Sequence, residues 1–172
     1  MRATRRLAGL LTAASAALAA LVGTAAAPAQ AYSPDPDVKA IYRDTDYCPC
    51  SLSDPFDGTY FAHDAGGYAV KLELRENGWY VGKVEFHPYG EKLWVYDTKN
   101  DGDTFYVHVT YSYDGTTHNL GTYHAPGTSA VVDKTVKDFS IPEGAYVDIS
   151  VYDDSALTDY IGGARGTGAA IA

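Results

Sequence analysis

The chain has 172 residues, with 22 Asp and Glu against 13 Lys and Arg and a formal charge of −9. Without residues 1–31, which read as a removable leader, 10 basic and 22 acidic residues remain, a charge of −12 on 141 residues. That excess of negative charge argues against nucleic acid and anionic membrane as partners and leaves neutral or cationic ones.

The leader reading rests on Arg2, Arg5 and Arg6, the uncharged apolar run from Leu7 to Val22, and the small residues ending in Ala29-Gln30-Ala31. Together they make a secretory signal peptide over residues 1–31, cleaved after Ala31, and so an extracellular protein with no membrane attachment after cleavage. A membrane span is the competing reading, and sixteen Ala-rich residues are short for one. Arg5-Arg6 raises twin-arginine export, although Leu7-Ala8-Gly9 lack its strong apolar pair.

Residues 32–66 are rich in Pro and Asp and sustain no period, which predicts an extended N-terminal arm. Cys48 and Cys50 stand in it on either side of Pro49. They are disulfide candidates in an oxidising compartment, with intermolecular pairing and redox or metal chemistry as the alternatives.

Residues 67–155 read as one all-β domain, a single antiparallel β-sandwich of about seven strands, immunoglobulin/fibronectin-like or jelly-roll-like. Strands are predicted at residues 68–75, 79–86, 93–99, 103–113, 116–124, 130–136 and 145–152. In the first hairpin a two-residue Asn77-Gly78 turn would set Leu72 against Lys83. A three-residue turn, pairing Val70 with Val84 and Leu74 with Tyr80, keeps the aliphatic residues on one face and is the register expected.

In the centre, pairing Val95 with Val107 leaves Asn100-Asp101-Gly102 as a hairpin loop. Continuing the register through Asp114-Gly115 lines up Tyr96, Tyr106 and Tyr123 in one row, with Trp94 and His108 in the next. Val70, Leu72, Leu74, Val84, Phe86, Leu93, Val95, Phe105, Val107, Val109, Leu120, Val147, Ile149 and Val151 form the expected core. Ile141-Pro142 followed by Tyr146 resembles the tyrosine corner of fibronectin-type and immunoglobulin-like sandwiches. Residues 156–172, rich in Gly and Ala, read as a C-terminal tail.

Gly82-Lys83-Val84-Glu85-Phe86, then Tyr89-Gly90-Glu91, and the run Val95-Tyr96-Asp97-Thr98-Lys99-Asn100-Asp101-Gly102 carry a further resemblance. With the arginine-led leader, they resemble uncharacterised small secreted β-rich proteins of actinobacteria over about half of the mature chain. Many of those carry further cysteines near the last strand, and residues 151–159 hold none. The resemblance implies export and β-structure, and no activity.

Catalytic signatures are missing from the sequence. There is no Gly-X-Ser-X-Gly elbow, and His63, His87, His108, His118 and His124 fall at no familiar ligand spacing. Asp97, Asp101 and Asp103 flank a tight turn and form a weak calcium candidate, from which Lys99 and His108 remove ligands that an EF-hand loop would have. The aromatic face is the sharper clue, because rings on a rigid sheet offer flat apolar area with polar edges. It points to a non-catalytic, cofactor-free module that binds a neutral glycan of an extracellular polysaccharide through Trp94, Tyr96, Tyr106, His108 and Tyr123, against the other reading of these rings as buried beneath the N-terminal arm or a second sheet. The alternative is a proteinaceous inhibitor or partner of a secreted hydrolase, acting through a loop such as residues 48–57 or 87–93.

Overall fold

The computed structural model describes residues 32–100, 102–128 and 132–172. The predicted signal peptide, Asp101 and the first residues of the strand expected at 130–136 lie outside them. Twelve strands run through the described residues: β1 (Asp37–Asp44), β2 (Cys50–Leu52), β3 (Thr59–Phe61), β4 (Tyr68–Glu76), β5 (Trp79–His87), β6 (Lys92–Asp97), β7 (Tyr106–Tyr113), β8 (Thr116–Tyr123), β9 (Asp133–Asp138), β10 (Tyr146–Tyr152), β11 (Tyr160–Ala164) and β12 (Ala170–Ile171).

The strands do not form a seven-stranded sandwich of two separate sheets. One antiparallel sheet follows the path β8-β7-β10-β12-β4-β5-β6-β9, with β1 added on β4 and β11 on β10. Its two ends approach each other: Thr135 Oγ1 donates to the His124 carbonyl at 2.8 Å, and the rings of Tyr123 and Phe139 meet at 5.7 Å. The result is a nearly closed sheet around one core. The β2–β3 hairpin is a separate two-stranded element.

The core follows the alternation of the strands. Thirteen of the fourteen expected core residues are fully buried, and Leu120 is half-buried against the same cluster. The segments expected as arm and tail also join the sheet. β1, in the expected arm, pairs with β4 along its whole length, and Val38, Ala40 and Tyr42 pack on the core. The expected tail supplies β11 and β12, and Ala172 is buried and donates its N–H to the Ala145 carbonyl. The tyrosine corner is not built, because the Tyr146 ring is 57% exposed.

Two bulges correct the expected registers. Asn77 and Gly78 have φ of 50° and 82° and make the two-residue turn, with Glu76 opposite Trp79. A bulge between Leu74 and Arg75 then shifts the ladder by one residue, so that Leu72 faces Val84 and Val70 faces Phe86. Turn chemistry and the aliphatic face are thus both satisfied, because an inserted residue exchanges the faces. In β7–β8 the Asp114-Gly115 turn is followed by a bulge between Val109 and Thr110, which brings Tyr123 opposite Val107 instead of Tyr106.

The larger correction is that β6 and β7 are not neighbours. Val95 faces Val84 and Thr135, whereas Val107 faces Val151 and Tyr123. The chain after β6 crosses to the other half of the sheet instead of turning back. Phe105, fully buried, enters the core in van der Waals contact with the backbone of Gly82, where a Cβ would stand 2.6 Å from the ring.

Candidate functional site

The outward positions of β4, β5 and β6 carry Lys71, Glu73, Lys83, Glu85, His87, Trp94 and Tyr96. Lys71 stands opposite Glu85, Glu73 opposite Lys83, Glu85 opposite Trp94, and Lys83 opposite Tyr96. A solvent-facing sheet would leave such charges in water. Here Lys71, Glu73, Lys83 and Glu85 are all buried, because the β2–β3 hairpin and the loop between its strands cover them.

The cover is held by charge and by a disulfide. Asp54 Oδ2, fully buried, accepts from Lys71 Nζ and Lys83 Nζ at 2.9 Å each. Lys83 Nζ also reaches Asp57 at 2.6 Å, Glu85 at 2.8 Å and the Gly58 carbonyl at 2.6 Å. Cys48 and Cys50 are bonded to each other, with Cα atoms 4.5 Å apart, and pack with Leu52 against Phe61 and Ala69. Of the pairings the sequence leaves open, the structure carries the local bridge. Thr45, fully buried at the base of the cover, bonds the Asp64 carbonyl through its hydroxyl at 2.8 Å and the Gly67 carbonyl through its N–H at 3.1 Å.

Between cover and sheet lies a cavity of about 360 Å³, walled by Tyr60, Tyr89, Trp94 and Tyr96 and edged by Glu85 and His87. Glu85 receives hydrogen bonds from Thr59 Oγ1 and Lys83 Nζ, and its Oε2 lies 3.0 Å from His87 Nε2. Burial by itself would raise the Glu85 carboxyl, but the bonds from His87, Lys83 and Thr59 outweigh it and hold the group below its ordinary value. Asp54 is likewise held low, its burial outweighed by Lys71, Lys83 and the backbone N–H groups of Phe56 and Gly58. Tyr96 is driven the other way by burial and by the Glu85 and Asp57 carboxylates, so its hydroxyl stays protonated.

His87 packs edge-on to Phe61 at 4.9 Å and beside Trp94 at 5.6 Å. Trp94 stacks on Tyr96 at 5.9 Å, and Lys134 lies over the indole at 5.1 Å. The Trp94 Nε1 is buried and has no acceptor among the described residues. Tyr60 and Tyr89 are 59% and 62% exposed and form the open rim.

Of the predicted binding residues, Trp94 and Tyr96 belong to this site and the others do not. Tyr106 lies in β7 beside His124 at 5.2 Å; His108, on the same strand, bonds Thr122 Oγ1 at 3.1 Å; and Tyr123 packs on Phe139. The row of Tyr96, Tyr106 and Tyr123 is therefore not assembled, and Tyr96 is 3% exposed. Of the calcium candidates, Asp97 is fully buried and accepts from the Lys99 N–H, Asp103 is exposed, and Asp101 lies outside the described residues; the Lys99 ammonium pairs with Glu76.

Lys71, Lys83 and Glu85 escape a reading of the sequence because outward charges on a strand ordinarily mean solvent, and Asp54 because an acid in a Pro- and Asp-rich loop ordinarily does too. The one signal was their complementary order across the hairpin, Lys71 and Glu73 against Lys83 and Glu85. No family model matches the chain, and no curated protein or solved structure matches it.

Proposed function

We propose that the protein is an exported, non-catalytic binding module whose cavity between the β2–β3 cover and the sheet receives a neutral sugar unit of an extracellular polysaccharide. The observation that carries this reading is the combination of exposed rings at the rim, Tyr60 and Tyr89, with Trp94 and the fixed polar groups Glu85 and His87 inside one cavity. Rings stack on the apolar faces of a sugar, while carboxylate and imidazole meet its hydroxyls. The volume is at the lower end of the range for small-molecule sites, about 300–1,000 Å³. A glycosidase acid needs a carboxyl raised toward neutrality, and Glu85 is held in the opposite direction, which supports binding over hydrolysis.

The test is calorimetric titration of the mature protein with neutral oligosaccharides. Tyr60→Ala and Tyr89→Ala remove exposed rings and leave the fold intact. Each is expected to weaken binding by about 0.5–1.5 kcal/mol, with little dependence on salt because no charge pairing is invoked. A folded wild type that binds no neutral glycan overturns the reading.

One observation favours the second reading, a partner or inhibitor of a secreted hydrolase. The Tyr47 ring is 84% exposed on the turn that leads into the Cys48–Cys50 bridge. On that reading Tyr47→Ala abolishes hydrolase binding and leaves any sugar binding unchanged.

A further inference from the structure

Tyr32, the residue that follows Ala29-Gln30-Ala31, is 4% exposed and part of the main core cluster. Its backbone nitrogen donates to Asp153 Oδ2 at 3.1 Å in a buried bond spanning 121 positions of sequence. Asp153, at the end of β10, is fully buried. Asp35 and Asp159 bring carboxylate oxygens to it, and the three groups lie within 4.8 Å of one another. The adjacent Asp154 is turned away, accepting from the Thr158 hydroxyl and the N–H groups of Thr158 and Asp159. On the other side the Lys99 ammonium stands 5.2 Å from the Tyr32 ring centroid and pairs with Glu76.

Carboxylates this close together favour a cationic donor over a neutral one at the atom they face. An amide N–H supplies one neutral donor. An α-ammonium at the same atom supplies three charged donors, and hydrogen bonds of that kind are about twice as strong. We propose that cleavage after Ala31 turns the nitrogen that bonds Asp153 into a cation, so that the Tyr32 α-ammonium ion-pairs with Asp153, Asp35 and Asp159 and holds the mature N-terminus against the end of β10.

This rests on the export reading given above. In the cleavage step an endopeptidase of the export system adds water across the Ala31–Tyr32 peptide bond. The hydroxyl goes to the Ala31 carbonyl and the proton to the Tyr32 nitrogen, and the freed amine takes a second proton from solvent at neutral pH. The Asp153 carboxylate is positioned on that nitrogen, and the stability of the mature fold becomes coupled to processing.

The experiment compares the protein beginning at Tyr32 with the same chain acetylated at Tyr32 and with one carrying Gly-Ser before it. The free-amine protein is expected to unfold several degrees higher at pH 6.5, and the advantage is expected to vanish as pH rises through the titration of the amine. Asp153→Asn should abolish the difference between free and blocked forms. Should that variant fail to fold, Asp35→Asn, at the exposed member of the cluster, should reduce it. Coincident midpoints for free and blocked protein at pH 6.5, or an undiminished difference in the folded aspartate variants, overturn the proposal. N-terminal sequencing of exported protein tests the cleavage position separately: a start other than Tyr32 defeats the export reading at this bond, whatever the stability comparison gives.

Discussion

Lys83 Nζ lies 2.9 Å from Asp54 Oδ2, joining the outward face of β5 to the loop of the hairpin that covers it, with the two side chains 1% and 0% exposed. The same carboxylate oxygen serves Lys71 at 2.9 Å, so one acid bridges two buried ammonium groups, which also pair with Glu73 and with Asp57 and Glu85. Removing its charge leaves Lys71 with Glu73, and Lys83 with Asp57 and Glu85, and weakens two charge-assisted hydrogen bonds in a dry site. Asp54→Asn is therefore expected to lose about 1.5–3 kcal/mol in urea unfolding. A loss below about 1 kcal/mol would mean that the cover opens to water at little cost.

The pH dependence follows from the same cluster. Asp54 and Glu85 sit below their ordinary values in the folded protein, since hydrogen bonds from the lysines, His87, Thr59 and backbone N–H groups outweigh the effect of burial. A depressed carboxyl contributes stability that is complete above its unfolded value, about 3.9 for Asp and 4.3 for Glu, and is lost as pH falls toward the folded value. Thermal midpoints are expected to fall steeply below about pH 4, and Glu85→Gln should make that acid limb shallower.

The Cys48–Cys50 bridge closes a loop so short that its entropic contribution is about 1–2 kcal/mol. Its effect is expected to be local. Replacing both cysteines with serine should speed hydrogen exchange in β2 and β3 ahead of the main sheet and weaken ligand binding, because Thr59 and Tyr60 of the hairpin line the cavity. Uniform acceleration over the whole sheet would contradict this.

A Cβ at Gly82 would stand 2.5 Å from the Tyr96 carbonyl oxygen and 2.6 Å from the Phe105 ring. The first contact is backbone and cannot swing aside. Gly82→Ala is expected to cost about 1–3 kcal/mol by overpacking, measured in denaturant.

Val107 is fully buried between Val151 of β10 and Tyr123 of β8. Val107→Ala is expected to lose about 2 kcal/mol from buried methyl groups and the cavity they leave, as read by the denaturation midpoint. An unchanged midpoint would place Val107 outside the core.

The inner face of the sheet was legible from the sequence alone, because period-two alternation states which residues point inward whatever strand lies beside them. That is why Val70, Leu72, Leu74, Val147, Ile149 and Val151 are buried as expected. The same argument is silent about partners. An alternating strand is satisfied by any antiparallel neighbour, so the turn signal at Asn100-Asp101-Gly102 suggested a β6–β7 hairpin, while β9 and β10 occupy those edges. The bulges after Asn77-Gly78 and Asp114-Gly115 were hidden for a related reason: each is one inserted residue whose position is decided by packing across the sheet. Outwardness was equally legible for Lys71, Lys83, Glu85, Trp94 and Tyr96, and a cover over the aromatic rings was one of the two readings open, but the burial of the charged residues was not legible. It depends on a cover drawn from residues 48–61, brought over the sheet by Asp54 and the disulfide, and only the tertiary structure turns an outward charged face into the wall of a cavity.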